Sequence, residues 1–162
     1  MTATEVRAGR QVRGDEYFDE LEVGDWIHSR ARTITETDVA QFAALTWDHN
    51  PAHTDAVTAA RGIFGERVAH GLLGLAVTIG LVPNSSVAGL RRFRNVVFKS
   101  PLRFGDTVHV EGVVAVKRDY SEELGLLTGR WRLVNQDGAT ILKFEIDALW
   151  RRHPEGGDDR DG

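Results

Sequence analysis

The chain has no cysteine among its 162 residues. That excludes a disulfide framework, a thiol nucleophile and a zinc–thiolate centre. It also has no long hydrophobic run. The longest, GLLGLAVTIGLV at 71–82, is too short to cross a bilayer. The opening MTATEVRAGRQVRGDEY contains no apolar signal-peptide core, so a cytoplasmic protein without a membrane partner is expected. An excess of positive charge is missing as well. The formal net charge is −4, and the segment after Pro154 holds four acids against one Arg, a net of −3, which leaves the body near −1. A near-neutral body argues against a nucleic-acid partner.

What is present fits one soluble domain: 41% hydrophobic and 27% charged residues, in a chain long enough to bury a core. Residues 1–15 are polar and aperiodic and read as a flexible arm. Residues 16–153 read as the domain, and 154–162 as a disordered acidic tail. VGDWIHSRARTI (23–34) has the look of a strand. Thr35 and Asp38 form a capping-box pattern opening a helix, whose apolar face is Val39, Phe42, Ala43 and Leu45 and which Asn50 and Pro51 end. A short helical piece, AVTAAR (56–61), follows, then a loop punctuated by Gly62 and Gly65. The run 71–82 is apolar on all sides, which predicts a buried helix stopped by Pro83, Asn84 and Ser85.

Beyond it the pattern has period two. Val108, Val110, Val114 and Val116 alternate with His109, Glu111 and Lys117; Leu127, Trp131 and Leu133 alternate with Thr128, Arg130 and Arg132. Leu142, Phe144, Ile146, Ala148 and Trp150 alternate with Lys143, Glu145 and Asp147. These predict strands with one buried face. NQDG (135–138) supplies a hairpin turn, and NVVFKSPLRFGD (95–106) one more strand with its exit turn. The expected fold is α+β, an antiparallel sheet wrapped around the central buried helix.

Ionisable residues concentrate in LTWDHNPAHTD (45–55). On a regular helix Asp48 and His53 would point about 140° apart. Pro51 breaks the helix between them, so both can turn inward to hold and deprotonate a water. The spacing equally suits turn residues closing a helix beside a surface His. His49 and His53 stand four apart, as metal ligands on a helix do, but Pro51 interrupts that interval and no metal is expected. In ERVAHGLLGL (66–75), His70–Gly71 precedes the apolar helix. The first amides of that helix have no acceptors within it, and the Gly71 N–H can hold a developing oxyanion. A cap at His70 and close packing at Gly71 explain the same residues. Arg91, Arg92, Arg94, Lys99 and Arg103 make 90–106 locally basic. They can meet a phosphorylated cofactor or form the wet side of a strand.

Taken together, FAALTWDHNPAHTD followed by RVAHGLL resembles the MaoC-like hydratases, the hot-dog-fold group that includes (R)-specific enoyl-CoA hydratases. The group's Asp-x-Asn-Pro-x-His-x-Asp pattern is met by Asp48, Asn50, Pro51, His53 and Asp55, and its His-Gly step by His70 and Gly71. The order of elements from about 18 to 150 matches too. The resemblance implies a single hot-dog domain and a hydro-lyase that adds water to a trans-2-enoyl-CoA, giving an (R)-3-hydroxyacyl-CoA. Asp48 and His53 would hold the water, with Asp48 as the base, and a proton would reach C2 on the same face. Gly71 N–H would hold the thioester oxygen, and Asn50 would shape the loop. No metal or redox cofactor is implied, since coenzyme A enters as part of the substrate. A homodimer, or a higher homo-oligomer, is implied.

Three positions depart from the group's pattern. Trp47 stands where a small or polar residue is common, and would fill core or narrow the acyl channel. Ala52 replaces Leu or Ile. Ile79 occupies the position, eight after the Gly, where some of these hydratases carry a hydroxyl, with Thr78 beside it. Two other readings stay open: a hot-dog acyl-CoA thioesterase, with water attacking C1, and a non-catalytic acyl-CoA-binding subunit.

Overall fold

Five strands form one antiparallel sheet in the order Trp26–His28, Thr107–Asp119, Leu124–Val134, Thr140–Arg151 and Val87–Phe98, and the two-residue strand Arg32–Thr33 pairs with the start of the second of these. The computed structural model describes residues 9–82 and 85–154. The strands are β1 (Trp26–His28), β2 (Arg32–Thr33), β3 (Val87–Phe98), β4 (Thr107–Asp119), β5 (Leu124–Val134) and β6 (Thr140–Arg151). The helices are α1 (Glu36–Thr46), α2 (Pro51–Thr54), α3 (Ala56–Ala59) and α4 (Gly71–Leu81). Helix α4 lies against β4, β5 and β6. Its Leu73, Val77 and Leu81 share one core with Val108, Val110, Leu127, Leu133, Leu142, Phe144 and Ile146. This is the α+β architecture expected, a sheet wrapped around one helix.

The strand expected over 23–34 is two pieces. Ser29 breaks it: its Oγ accepts from Val110 N–H at 2.8 Å and donates to the Arg30 carbonyl. A side chain thus takes the place of a ladder bond. The strand expected near 95–106 begins earlier, at Val87, and runs along the sheet edge. Residues 9–15, assigned to a flexible arm, instead run beside β1. Val12 N–H donates to the Trp26 carbonyl and Trp26 N–H to the Arg10 carbonyl, with Val12 buried. The remainder of that arm and the acidic segment 155–162 lie outside the described residues.

Several burial expectations change, among them Leu45, exposed rather than on an apolar face of α1, and Thr128, buried rather than outward. Helix α4 is covered on one face only: Leu72, Ala76 and Gly80 are exposed, Leu72 by 61%. The sheet reaches one side of it, so uniform apolarity here marks a second face left uncovered by the described residues. Val116 points outward because a bulge between Val114 and Val116 reverses the alternation, bringing Lys117 over the Phe18 ring. Asp147 was expected on the wet side but is 1% exposed. Arg94 clamps it with two donors at 2.8 and 3.1 Å, and the Thr128 hydroxyl donates at 2.8 Å. That charge and those bonds compensate its desolvation. The hairpin at 135–138 forms as expected, with Gly138 at φ 77° and Asn135 Oδ1 accepting from the amides of Asp137 and Ala139.

Candidate active site

Helix α1 begins as its sequence dictates. Thr35 Oγ1 accepts from Asp38 N–H, and the Asp38 carboxylate accepts from Thr35 N–H at 2.8 Å. It ends earlier than Asn50–Pro51, at Trp47, which adopts a left-handed φ of 62°. For a non-glycine residue that costs about 1–2 kcal/mol. The turn throws Asp48 out of the helix axis. Asn50 and Pro51 therefore do not close α1; they open α2. Asn50 Oδ1 accepts from Ala52 N–H at 2.9 Å, and Pro51 takes the first helical position, where its missing N–H costs nothing. This places His53 on one turn of helix, facing back toward Asp48.

His53 is held by main chain. Its Nδ1 lies 2.7 Å from the Val68 carbonyl. A carbonyl only accepts, so Nδ1 carries the hydrogen and Nε2 carries the lone pair in the neutral ring. Its ring stacks on His70 with centroids 3.8 Å apart. His70 is 2% exposed, and its Nε2–H donates to the Asp48 carbonyl at 2.9 Å. The His70 side chain therefore caps nothing on α4. It ties the Asp48 loop to the start of α4 and supports the His53 ring from behind. The same logic leaves His70 Nδ1 as an acceptor, and that atom is buried with no partner among the described residues.

One donor atom each from Asp48, His53 and His70 lies within 4.8 Å of the others. His49, paired with His53 by sequence spacing, is outside this group; His70 takes its place. His70 Nε2 is already committed to the Asp48 carbonyl. The acceptors that remain are the Asp48 carboxylate, half exposed, and His53 Nε2. Two converging acceptors suit a water, which can donate one hydrogen to each.

A cavity of about 310 Å³ joins the two motifs. His53, Val68, Gly71, Phe98 and Lys99 line it, with Leu102 and Leu142 deeper toward the core. Gly71 is the first residue of α4, an 11-residue helix whose first amides have no acceptors within it. The Phe98 ring sits so close that a Cβ on Gly71 would come within 2.8 Å of it. Phe98 and Val68 were not anticipated. Val68 lies within the RVAHGLL motif without standing out as a site residue, and β3 and the 62–69 loop meet here only through the fold.

The basic run does not converge on this cavity. Arg94 and Arg92 bind Asp147, Arg103 binds Glu66 at 2.7 Å, and Arg91 lies over the Tyr120 ring. Lys99 alone of the five lines it, and Lys99 also borders a wider depression on the outer face of the sheet. Trp47 is 84% exposed and fills no core among the described residues. Ile79 faces a small apolar void elsewhere. The neighbouring Thr78 hydroxyl donates to the Gly74 carbonyl at 2.8 Å, so neither residue supports the Asp48–His53 pair. Among the described residues no helix is long and apolar enough to cross a membrane.

Residues 22–130 match the profile of the MaoC like domain. The chain belongs to the MaoC-like family. It is 35% identical to Protein MaoC of Klebsiella aerogenes over 76% of this chain and 42% of that protein. It is 39% identical to a 3-hydroxybutyryl-CoA dehydratase of Methylorubrum extorquens over 61% of this chain and 64% of that protein. An (R)-specific enoyl-CoA hydratase of Rhodospirillum rubrum is 37% identical over 63% of this chain and 74% of its own length. The chain thus spans less than half of the first of these relatives and just under two thirds of the second. Among solved structures, a protein from Archaeoglobus described as a monoamine oxidase regulatory protein superposes with a TM-score of 0.79 at 35% identity, covering 90% of this chain and 98% of that one. A double hot-dog protein of Mycobacterium tuberculosis superposes at 0.78 with 19% identity, covering 88% of this chain and 46% of that one, a likeness of fold alone. The MaoC-like chain is therefore a hot-dog domain, the fold its sequence motifs implied.

Proposed function

We propose that this MaoC-like domain is a hydratase/dehydratase that adds water reversibly to a trans-2-enoyl-CoA, forming an (R)-3-hydroxyacyl-CoA. The observation that carries the reading is one cavity lined by both His53 and Gly71, with an Asp48 carboxylate oxygen within 4.8 Å of a His53 ring nitrogen. A water between Asp48 and His53 Nε2 presents its remaining lone pairs to C3. Asp48 takes one proton as the C3–O bond forms. The π electrons move through C2 onto the thioester oxygen, which the Gly71 N–H holds. The proton then passes from Asp48 to C2. The same water supplies hydroxyl and proton, so no outside acid is needed, and delivery from one residue gives addition on one face. His70 acts as a positioning residue for both acceptors. Coenzyme A belongs to the substrate, with Lys99 near its phosphates, and no metal or redox cofactor takes part.

The uncovered apolar faces support a homodimer. Leu72 on α4, Leu45, Trp47 and Ile63 are exposed around the same site, an arrangement suited to a second copy.

The test is to mix the protein with crotonyl-CoA and longer trans-2-enoyl-CoAs and follow loss of enoyl absorbance, with product stereochemistry and free thiol measured in parallel. An (R)-3-hydroxy product is expected, with Asp48→Asn and His53→Ala each at least about a hundredfold slower. Release of free CoA would instead identify a thioesterase. Binding without turnover would identify an acyl-CoA-binding subunit.

A further inference from the structure

Away from the cavity, a second group of donors stands on the outward face of the sheet edge. His28 of β1 pairs in register with Glu111 of β4, and His109 lies two residues along β4 on the same face. The residues on either side of His109, Val108 and Val110, point into the core. The two imidazole rings lie 4.6 Å apart, and His109 Nε2 is 3.3 Å from Glu111 Oε1. Arg132 donates its Nε–H to the other carboxylate oxygen, Oε2, at 2.9 Å. One donor atom from each of the three residues lies within 4.8 Å of the others.

We propose that His28, His109 and Glu111 bind one borderline divalent cation of the Zn²⁺ type. Two imidazoles and a carboxylate are a ligand set that such ions accept, with open positions left for water. Tetrahedral donors stand about 3.4 Å apart, so the group closes by roughly 1.4 Å at most. The His28 side chain is exposed and supplies that movement. Arg132 fixes the carboxylate through one oxygen and leaves the other facing His109, the outer contact that orients a metal-binding carboxylate. A bound ion ties the three-residue β1 to β4. The site stands apart from the proposed reaction and does not depend on it.

The test is calorimetric titration of the full chain, freed of metal by chelator, with ZnCl₂ and separately with NiCl₂. One equivalent is expected to bind at micromolar concentration. His28→Ala and His109→Ala should each weaken it at least about tenfold, with far-UV circular dichroism unchanged. His53→Ala, which removes a donor from the other group, should leave it intact. Absence of binding overturns the proposal. So does an equivalent that His53→Ala abolishes, or one that survives His28→Ala.

Discussion

Adding one methyl group at Gly71 probes the cavity directly. A Cβ there would stand 2.8 Å from Phe98 Cε1 and 3.1 Å from Cδ1. Carbon atoms rest at about 3.5–4.0 Å, so the ring must retreat by roughly 0.7 Å or more. Phe98 is 51% exposed, and it can swing toward solvent at a cost of about 0.5–1.5 kcal/mol. Helix propensity returns part of that, because Ala is favoured over Gly by up to about 1 kcal/mol. Gly71→Ala should therefore shift the melting temperature by no more than about 4 °C. Turnover should suffer far more. The amide survives, but the space in front of it changes by nearly 1 Å, a misplacement that costs about a hundredfold. The assay is the enoyl-CoA absorbance decay under kcat/KM conditions, beside a thermal melt. The double variant Gly71→Ala/Phe98→Leu restores room and should recover at least about tenfold of the loss, since the misplacement is its cause. A single variant with near-normal kcat/KM would show that the reaction does not occur before this amide. Failure of the double variant to recover would show that the ring is not what the methyl displaces.

Lys99→Ala should raise KM for the CoA thioester about tenfold, the worth of one charge-assisted contact, while leaving the matching pantetheine thioester unaffected. Equal effects on both would remove Lys99 from the phosphates. Ser29→Ala leaves the buried Val110 N–H without its acceptor and should cost about 1–3 kcal/mol in urea unfolding, with activity per folded molecule retained. Asp38→Ala removes the capping box and should cost about 1 kcal/mol at neutral pH. Burial pushes the Asp38 carboxyl up, but hydrogen bonds from Thr35 and the nearby Arg32 charge outweigh it and hold the pKa low. A lowered folded pKa means stability present above the ordinary carboxylate range and lost as pH falls through the folded value. The gap between wild type and variant should close in acid, and a gap independent of pH would refute the assignment.

The sheet-and-helix plan was legible because period-two strands and one greasy helix have few other ways to share a core. The capping box and the hairpin were legible for similar local reasons, whereas spacing left Asp48 and His53 open and only the family resemblance paired them. What escaped was set by partners distant in sequence. Nothing beside Asp147 announces that Arg94 and Thr128 will reach it from neighbouring strands. The bulge near Ala115 turns Val116 outward without a glycine to mark it. The basic run was open between a phosphate site and the wet side of a strand, and only the fold shows its guanidiniums meeting acids and a tyrosine ring. An apolar helix reads the same whether its second face meets its own chain or another.

The His53 ring is oriented by a peptide carbonyl. Val68 is fixed in place by its own N–H, which donates to the Ala52 carbonyl, and by an antiparallel bridge to Arg103. No exchange of the residue 68 side chain deletes that carbonyl. The proton arrangement of the imidazole beside the candidate base is therefore inherited from the backbone path itself. Mutation can tune the shape and polarity of the surrounding walls freely while the imidazole keeps the same nitrogen bare, which separates the evolution of substrate preference from the upkeep of the chemistry.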